Sequence, residues 1–243
     1  MSYLILKIIA LFTMTLDHLW YSGLVSNGVF TCIGRLAFPI FCYQLVEGFE
    51  KTSDVKKYKL RLLLFALLSE IPFDMLCFNK LFSFNGSNVM FTLLLGLFCI
   101  ESMKDYKLNY IDSFKHYLII FISFFLANIF NTDYSYWGLI TIILFYGFKD
   151  FNYKYLIYII WFIIFAYLNP QYVYVDLFSN IFRVNRVIFT IFSVFVLFII
   201  ENIINKKFKN INLNKYKLIK LFFYFYYPLH MLIIYFINQS GGF

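Results

Sequence analysis

The sequence predicts an all-α protein, a polytopic transmembrane helical bundle of about nine spans. The N-terminus is expected in the cytoplasm and the C-terminus outside. Three observations carry this reading. Hydrophobic residues make up 62% of the 243 and charged residues only 14%, where soluble domains carry about 25% charged. The mean hydropathy is +0.73. Long apolar runs alternate with short polar loops along the whole chain, as stacked membrane crossings require.

Taken in order, the apolar runs place spans at about 3–22, 29–49, 60–78, 88–103, 116–131, 136–148, 153–169, 187–204 and 219–237. The first, LILKIIALFTMTLDHLWY, reads as a retained span rather than a cleaved signal, because it carries Asp17 and His18 and lacks a small-residue cleavage site. Span three contains Pro72, which should bend or end its helix. The sixth is short for a crossing, since about 20 residues are normally needed. Between spans seven and eight, 172–184 reads as a short interfacial helix.

Basic residues set the orientation. The loops after spans two, four, six and eight hold 16 of the 21 lysines and arginines, and the intervening loops hold only Lys80, Arg183 and Arg186. The positive-inside rule therefore puts those four loops in the cytoplasm, and an odd number of spans keeps the alternation. The formal net charge of +8 belongs to these loops and to anionic lipid heads. No basic helix or motif points to nucleic acid. Cys32, Cys42, Cys77 and Cys99 lie in apolar runs without CxxC spacing and read as small packing residues. The expected location is the plasma membrane, multi-pass, with the lipid bilayer as first partner. The oligomeric state is not legible.

This topology sorts the polar residues within the spans. Asp17 and His18 end span one on the outer side, and Arg35 opens span two there. Glu70 and Asp74 stand one turn apart on one face at the outer end of span three. Asn88 and Thr92 open span four, Asp133 and Tyr134 close span five, and Tyr227 and His230 lie in the outer half of span nine. Ionisable groups in hydrocarbon cost roughly 2.5–3.5 kcal/mol on insertion scales. Their concentration at one level points to a buried polar cavity open to the outside. Glu47, on the inner side, precedes a basic loop and suits an ion pair with Arg61 or, equally, a ligand role. His116, beside Lys115, reads as solvated.

Several segments together resemble a known family: IIALFTMTLDHL, GRLAFPIFCYQLVEGF, YKLRLLLFALLSEIPFD, NVMFTLLLG, the DY of NTDYSYWG, and FYYPLHMLIIY. They resemble the TraX family of integral-membrane proteins, named for the pilin N-acetylation factor. That family is similar to the wider group of transmembrane acyltransferases that move acetyl groups from acetyl-CoA to surface glycans. The resemblance is strongest over 4–100 and returns at 131–138 and 221–236. It implies that residues 1–243 form a single transmembrane acyltransferase-like domain. It further implies a catalytic histidine at His18, a matching arginine at Arg35, and a terminal motif at Tyr227, Pro228 and His230. The wider group carries an arginine well upstream of its first-span histidine, and here the upstream cation is Lys7.

Acyl transfer needs a base, oxyanion donors, and cations for the carrier's phosphates. Histidine suits the first role, as general base or transient acyl carrier. Adjacent helical residues point about 100° apart, so Asp17 need not orient His18, and Glu70 or Asp74 are alternatives. Arg35 suits oxyanion stabilisation or pairing with Asp17 or Asp74, and His230 a direct role. Asn88, Thr92, Asp133, Tyr134 and Tyr227 suit acceptor binding. Lys56, Lys57 and Arg61 suit the phosphates of acetyl-CoA entering from the cytoplasm. The acceptor is expected to be an extracytoplasmic glycan or peptide, and no metal is expected from the histidine spacing. The alternative reading of the same carboxylates and histidines is a proton-coupled transporter.

Overall fold

The computed structural model describes residues 2–108, 113–177, 180–204 and 217–241. The basic stretch expected between spans eight and nine falls mainly on 205–216, outside the described residues. The chain is mostly helical. It divides into two compact units, one of Met1–Phe41 with Asn152–Phe243 and one of Cys42–Phe151.

The first unit begins with α1 (Ser2–Tyr21) and α2 (Val29–Gly34). Arg35 follows α2 as its cap, and α3 (Ala37–Lys51) opens directly after the break. The second unit holds most of α3, then α4 (Val55–Phe78), α5 (Val89–Leu108), α6 (Ser113–Ile129) and α7 (Ser135–Phe148). The first unit resumes with α8 (Lys154–Leu168), strands β1 (Tyr172–Leu177) and β2 (Asn180–Asn185), and a 3-10 turn Arg186–Phe189. It closes with α9 (Thr190–Ile199), a π turn Ile200–Ile204 and α10 (Lys217–Ser240). The expected apolar runs fall largely on these helices; the run at 29–49 falls on the α2–α3 pair, and the run at 187–204 on the 3-10 turn, the ten-residue α9 and the π turn.

Two segments among the described residues are long and apolar enough to cross a membrane, Leu4–Tyr21 and Val29–Lys51. α7 has 14 residues, about 21 Å at 1.5 Å per residue, which is short for a hydrocarbon core of about 30 Å. The helices turn apolar side chains outward. Leu60, Leu64, Leu67, Leu68 and Ile71 form an exposed stripe on α4, and Phe222, Phe225, Leu229, Ile233 and Phe236 form another on α10. Polar groups such as Thr31, Asp74, Asn88, Thr92 and His230 are buried instead. A surface helix of a water-soluble domain has the reverse arrangement.

One expectation is corrected, and another is narrowed. The 172–184 stretch is an antiparallel hairpin, not a helix, with Tyr172 opposite Asn185 and Tyr174 opposite Arg183. Its Tyr-Val-Tyr-Val alternation has the period of two that sends successive side chains to opposite faces. Val173 and Val175 accordingly pack with Cys32, Trp20 and Val29, while Tyr172 and Tyr174 are exposed. Of the two outcomes expected at Pro72, a bend or an end, the end does not occur there: α4 continues to Phe78 and stops at Asn79, whose φ of 53° supplies a left-handed cap.

α1 and α10 run side by side and parallel. Lys7 lies over the Phe223 ring, Thr15 Oγ1 is 2.8 Å from the Tyr226 hydroxyl, and Asn238 donates to the Ser22 carbonyl at 2.9 Å. α1 and α2 also approach closely. A Cβ on Gly34 would lie 2.4 Å from the Asp17 Cβ, so only glycine fits there without displacing a helix. The hairpin is seated just as tightly on the start of α2, where a Cβ on Gly28 would lie 2.3 Å from the Tyr174 carbonyl oxygen.

Candidate functional site

The first unit gathers five of the expected site residues, Asp17, His18, Arg35, Tyr227 and His230. As adjacent helical positions require, Asp17 and His18 diverge. Asp17 faces α2, where its Oδ2 pairs with Arg35 and its Oδ1 accepts from Thr31 Oγ1 at 2.6 Å. The ion pair is largely enclosed, with side chains 11% and 15% exposed for Arg35 and Asp17. Of the two pairings expected for Arg35, the one with Asp17 is formed.

His18 faces α10. Its Nδ1 lies 2.7 Å from Nε2 of His230, and His230 Nδ1 lies 2.8 Å from the Tyr226 carbonyl oxygen. The two imidazoles are within 4° of parallel with centroids 4.9 Å apart. That separation is close to the N···N distance plus two ring radii. The rings therefore meet edge to edge in one plane, as a bond along a ring lone pair requires.

The protons follow from this chain. A carbonyl oxygen only accepts, so His230 Nδ1 carries hydrogen. In the neutral ring, His230 Nε2 then presents its lone pair, and His18 Nδ1 must donate to it. His18 Nε2 is left with a lone pair and no hydrogen. A neutral His18 held this way could act chemically as a base at Nε2, its ring oriented by the hydrogen bond to His230. His230 is positioned by local geometry, because the Tyr226 carbonyl it uses is one helical turn before it. The Tyr226 and Tyr227 rings lie beside it, with centroids at 5.1 and 5.8 Å.

Thr31, Tyr226 and Arg186 enter the site without having been singled out by sequence. Arg186 Nη1 donates to Thr31 Oγ1 at 2.9 Å. Tyr226 was legible in FYYPLH as the residue one turn before His230. Thr31 and Arg186 carried no signal of their own, because a threonine in an apolar run and an arginine between expected spans have ordinary structural readings.

The second unit holds Glu70, Asp74, Asn88, Thr92, Asp133 and Tyr134. Asn88 caps α5, its Oδ1 accepting from Met90 N–H at 3.0 Å. Its side-chain amide donates to Glu70 Oε2 and, at 2.8 Å, to the Ala66 carbonyl. Asp74 is buried and its Oδ2 accepts from Ser83 N–H at 2.8 Å. Asp74 Oδ1 is buried with no hydrogen-bond partner among the described residues. Thr92 donates to the backbone carbonyl of Asp133, so that contact ties α5 to the loop before α7. Asn131, Tyr134 and Ser135 have positive φ of 43°, 63° and 42°, a left-handed cluster that costs strain in residues other than glycine. Within the first unit, the hydrogen-bond partner of His18 is His230.

The basic residues expected to hold phosphates lie at the start of α4. Lys56, Lys57 and Arg61 are exposed. Lys57 Nζ is 3.1 Å from Asp54 Oδ2, and Arg61 lies over the Tyr58 ring at 5.7 Å. Asp54 caps α4 by accepting from Lys57 N–H at 2.9 Å. That backbone hydrogen bond, with the Lys57 side chain, holds the Asp54 carboxyl below the usual aspartate range. Glu47 pairs with Lys51 rather than Arg61. His116 is not solvated but buried in α6, its Nδ1 3.4 Å from Ser102 Oγ.

These features define a helical, membrane-associated protein with a paired-histidine site. A family model described as TraX protein matches residues 2–238, and the chain belongs to the TraX family. It is similar to the protein named "Probable fimbrial assembly protein FimC, serogroup H1" of Dichelobacter nodosus, 37% identical over 110 residues. That match covers 39% of this chain and 43% of the relative's length, so the chain spans less than half of that relative. No solved structure matches.

Proposed function

We propose that this protein is an integral-membrane acetyltransferase that moves an acetyl group from acetyl-CoA to a hydroxyl or amine of an extracytoplasmic glycan or peptide. The observation that carries this reading is the Tyr226–His230–His18 chain, which leaves a basic nitrogen at His18 Nε2. In the step proposed, His18 Nε2 takes the proton of the acceptor as its oxygen or nitrogen attacks the thioester carbonyl carbon. The carbon–sulfur bond then breaks and coenzyme A leaves as the thiolate. The new charge on His18 is shared with His230 across their hydrogen bond. If His18 itself attacks, the same bond lets its Nδ1 proton pass to His230, so that the acyl-imidazole is neutral. Asp17 and Thr31 fix the rotation of α1 that keeps His18 on α10. Arg35, held beside them, supplies positive charge for the oxyanion.

The membrane topology is part of the proposal. Nine crossings in the plasma membrane accord with the outward apolar stripes, which suit lipid and not water. The parallel course of α1 and α10 accords with an odd number of crossings. Lys56, Lys57 and Arg61 then face the cytoplasm, where acetyl-CoA is available. The fimbrial-assembly name of the relative accords with an acceptor outside the cell. Label transfer from radiolabelled acetyl-CoA to envelope material, compared between wild type and His18→Ala, tests the reading. Loss of label in the mutant supports it, and equal label rejects His18 as the base.

Asp74 favours a second reading, proton-coupled transport, because a buried carboxyl oxygen without a partner suits a transient proton site. Flux in proteoliposomes that requires Asp74 and no acyl donor would establish that reading instead.

A further inference from the structure

Arg186 lies after the hairpin, far in sequence from Asp17 and His18, yet reaches their helix pair through a rigid base. Asn185 Oδ1 accepts from Val187 N–H at 3.1 Å and its amide donates to the Ala166 carbonyl at 2.9 Å. Arg186 N–H donates to the Gln171 carbonyl at 2.9 Å, which locks the two ends of the hairpin together. From this base the guanidinium reaches Gln171, Thr31 and Trp20. Its Nε donates to Gln171 Oε1 at 2.9 Å, its Nη1 donates to Thr31 Oγ1 at 2.9 Å, and its Cζ lies over the Trp20 ring, 5.2 Å from the centroid. Thr31, which is fully buried, spends its own hydroxyl hydrogen on Asp17.

We propose that Arg186 is a positioning residue for His18, acting through Thr31 and Asp17; the inference rests on the acetyl-transfer reading of the site. The acceptance of Arg186 Nη1 by Thr31 Oγ1 leaves the Thr31 hydrogen directed at Asp17. Asp17 then sits between two donors, Thr31 and Arg35, that fix its azimuth on α1. Because His18 follows Asp17 by about 100° of helical rotation, fixing Asp17 fixes the edge of His18 toward His230. The seating of the extracytoplasmic hairpin is thereby tied to the tautomer of the base. Supporting contacts of this kind hold a reactive group within the narrow geometry that chemistry requires.

The chain contains three histidines, so nitrogen-15 spectra of the histidine-labelled full chain in bilayers report each ring's tautomer without any acyl donor. In wild type, His18 is expected in a single form with Nδ1 protonated and Nε2 bare. Arg186→Ala is expected to spread His18 over both tautomers. In transfer assays its kcat should fall about tenfold or more with KM for acetyl-CoA within about twofold, as misplacement of a reacting group predicts. Arg186→Lys, which keeps a donor for Thr31, should recover most of both effects. Gln171→Ala removes only the Nε contact and should move both readouts in the same direction by less, which keeps the test open if the alanine variant at 186 does not fold. A single unchanged tautomer and a kcat within twofold in Arg186→Ala overturn the inference. Wild-type protein that transfers no acetyl group strikes the transfer reading instead, and the tautomer spectra still judge Arg186.

Discussion

His18 Nδ1 and His230 Nε2 lie 2.7 Å apart in one plane, although 212 positions separate them in sequence. The bond has a direction, because His230 Nδ1 is committed to the Tyr226 carbonyl. His230→Ala removes the orienting group and is expected to lower transfer by about 10²–10⁴-fold, the usual range for loss of acid–base catalysis. His230→Gln, whose carbonyl oxygen can accept from His18 Nδ1–H, should retain more activity than alanine. Initial rates at saturating acetyl-CoA check the order, and equal rates for the two variants would contradict it.

Asp17→Asn is expected to destabilise the first unit. Removing one partner of an enclosed ion pair leaves the other charge without compensation and typically costs about 3–5 kcal/mol. Thermal unfolding in detergent, with the Arg35→Gln single and the double variant, measures the coupling. Additive losses would show that the pair contributes nothing jointly.

Gly34→Ala tests the close approach of α1 and α2. The added methyl would fall 2.4 Å from the Asp17 Cβ and 2.8 Å from its Oδ1. Overpacking of this kind costs about 1–3 kcal/mol, and here it also pushes Asp17 away from Thr31. Lower thermal stability together with lower activity is the expected result, and unchanged values of both would contradict it.

The Asp54 cap predicts an acid-linked loss. Its folded carboxyl titrates below the usual aspartate range, so the cap's contribution is full above the unfolded pKa and is lost as pH falls through the folded one. Melting temperatures of wild type and Asp54→Asn should therefore converge as pH drops from neutral through the aspartate range. A constant difference across that range would remove Asp54 from the acid response.

Much of this was legible in the sequence, for physical reasons that differ by residue. His18, Arg35 and His230 stood out because ionisable groups in apolar runs are costly and rarely incidental. The divergence of Asp17 from His18 followed from helical geometry alone. The partner of His18 did not, because it depends on which helix lies beside α1, and periodicity does not encode that. Thr31 and Arg186 were invisible for the same reason. The lysine beside His116 suggests water, whereas His116 lies in α6 with its side chain buried. The hairpin carries a Tyr-Val-Tyr-Val alternation of period two, but that signal is short and is set between long helical runs.

The central claim is that His18 is the base of an acetyl transfer across the envelope. Its most direct test is transfer of label from radiolabelled acetyl-CoA to envelope material of the native host, using membranes that contain equal inserted amounts of wild type or His18→Ala. Label with the wild type and background label with the variant is the predicted result. Equal label in both, or no wild-type label above empty membranes, would contradict it.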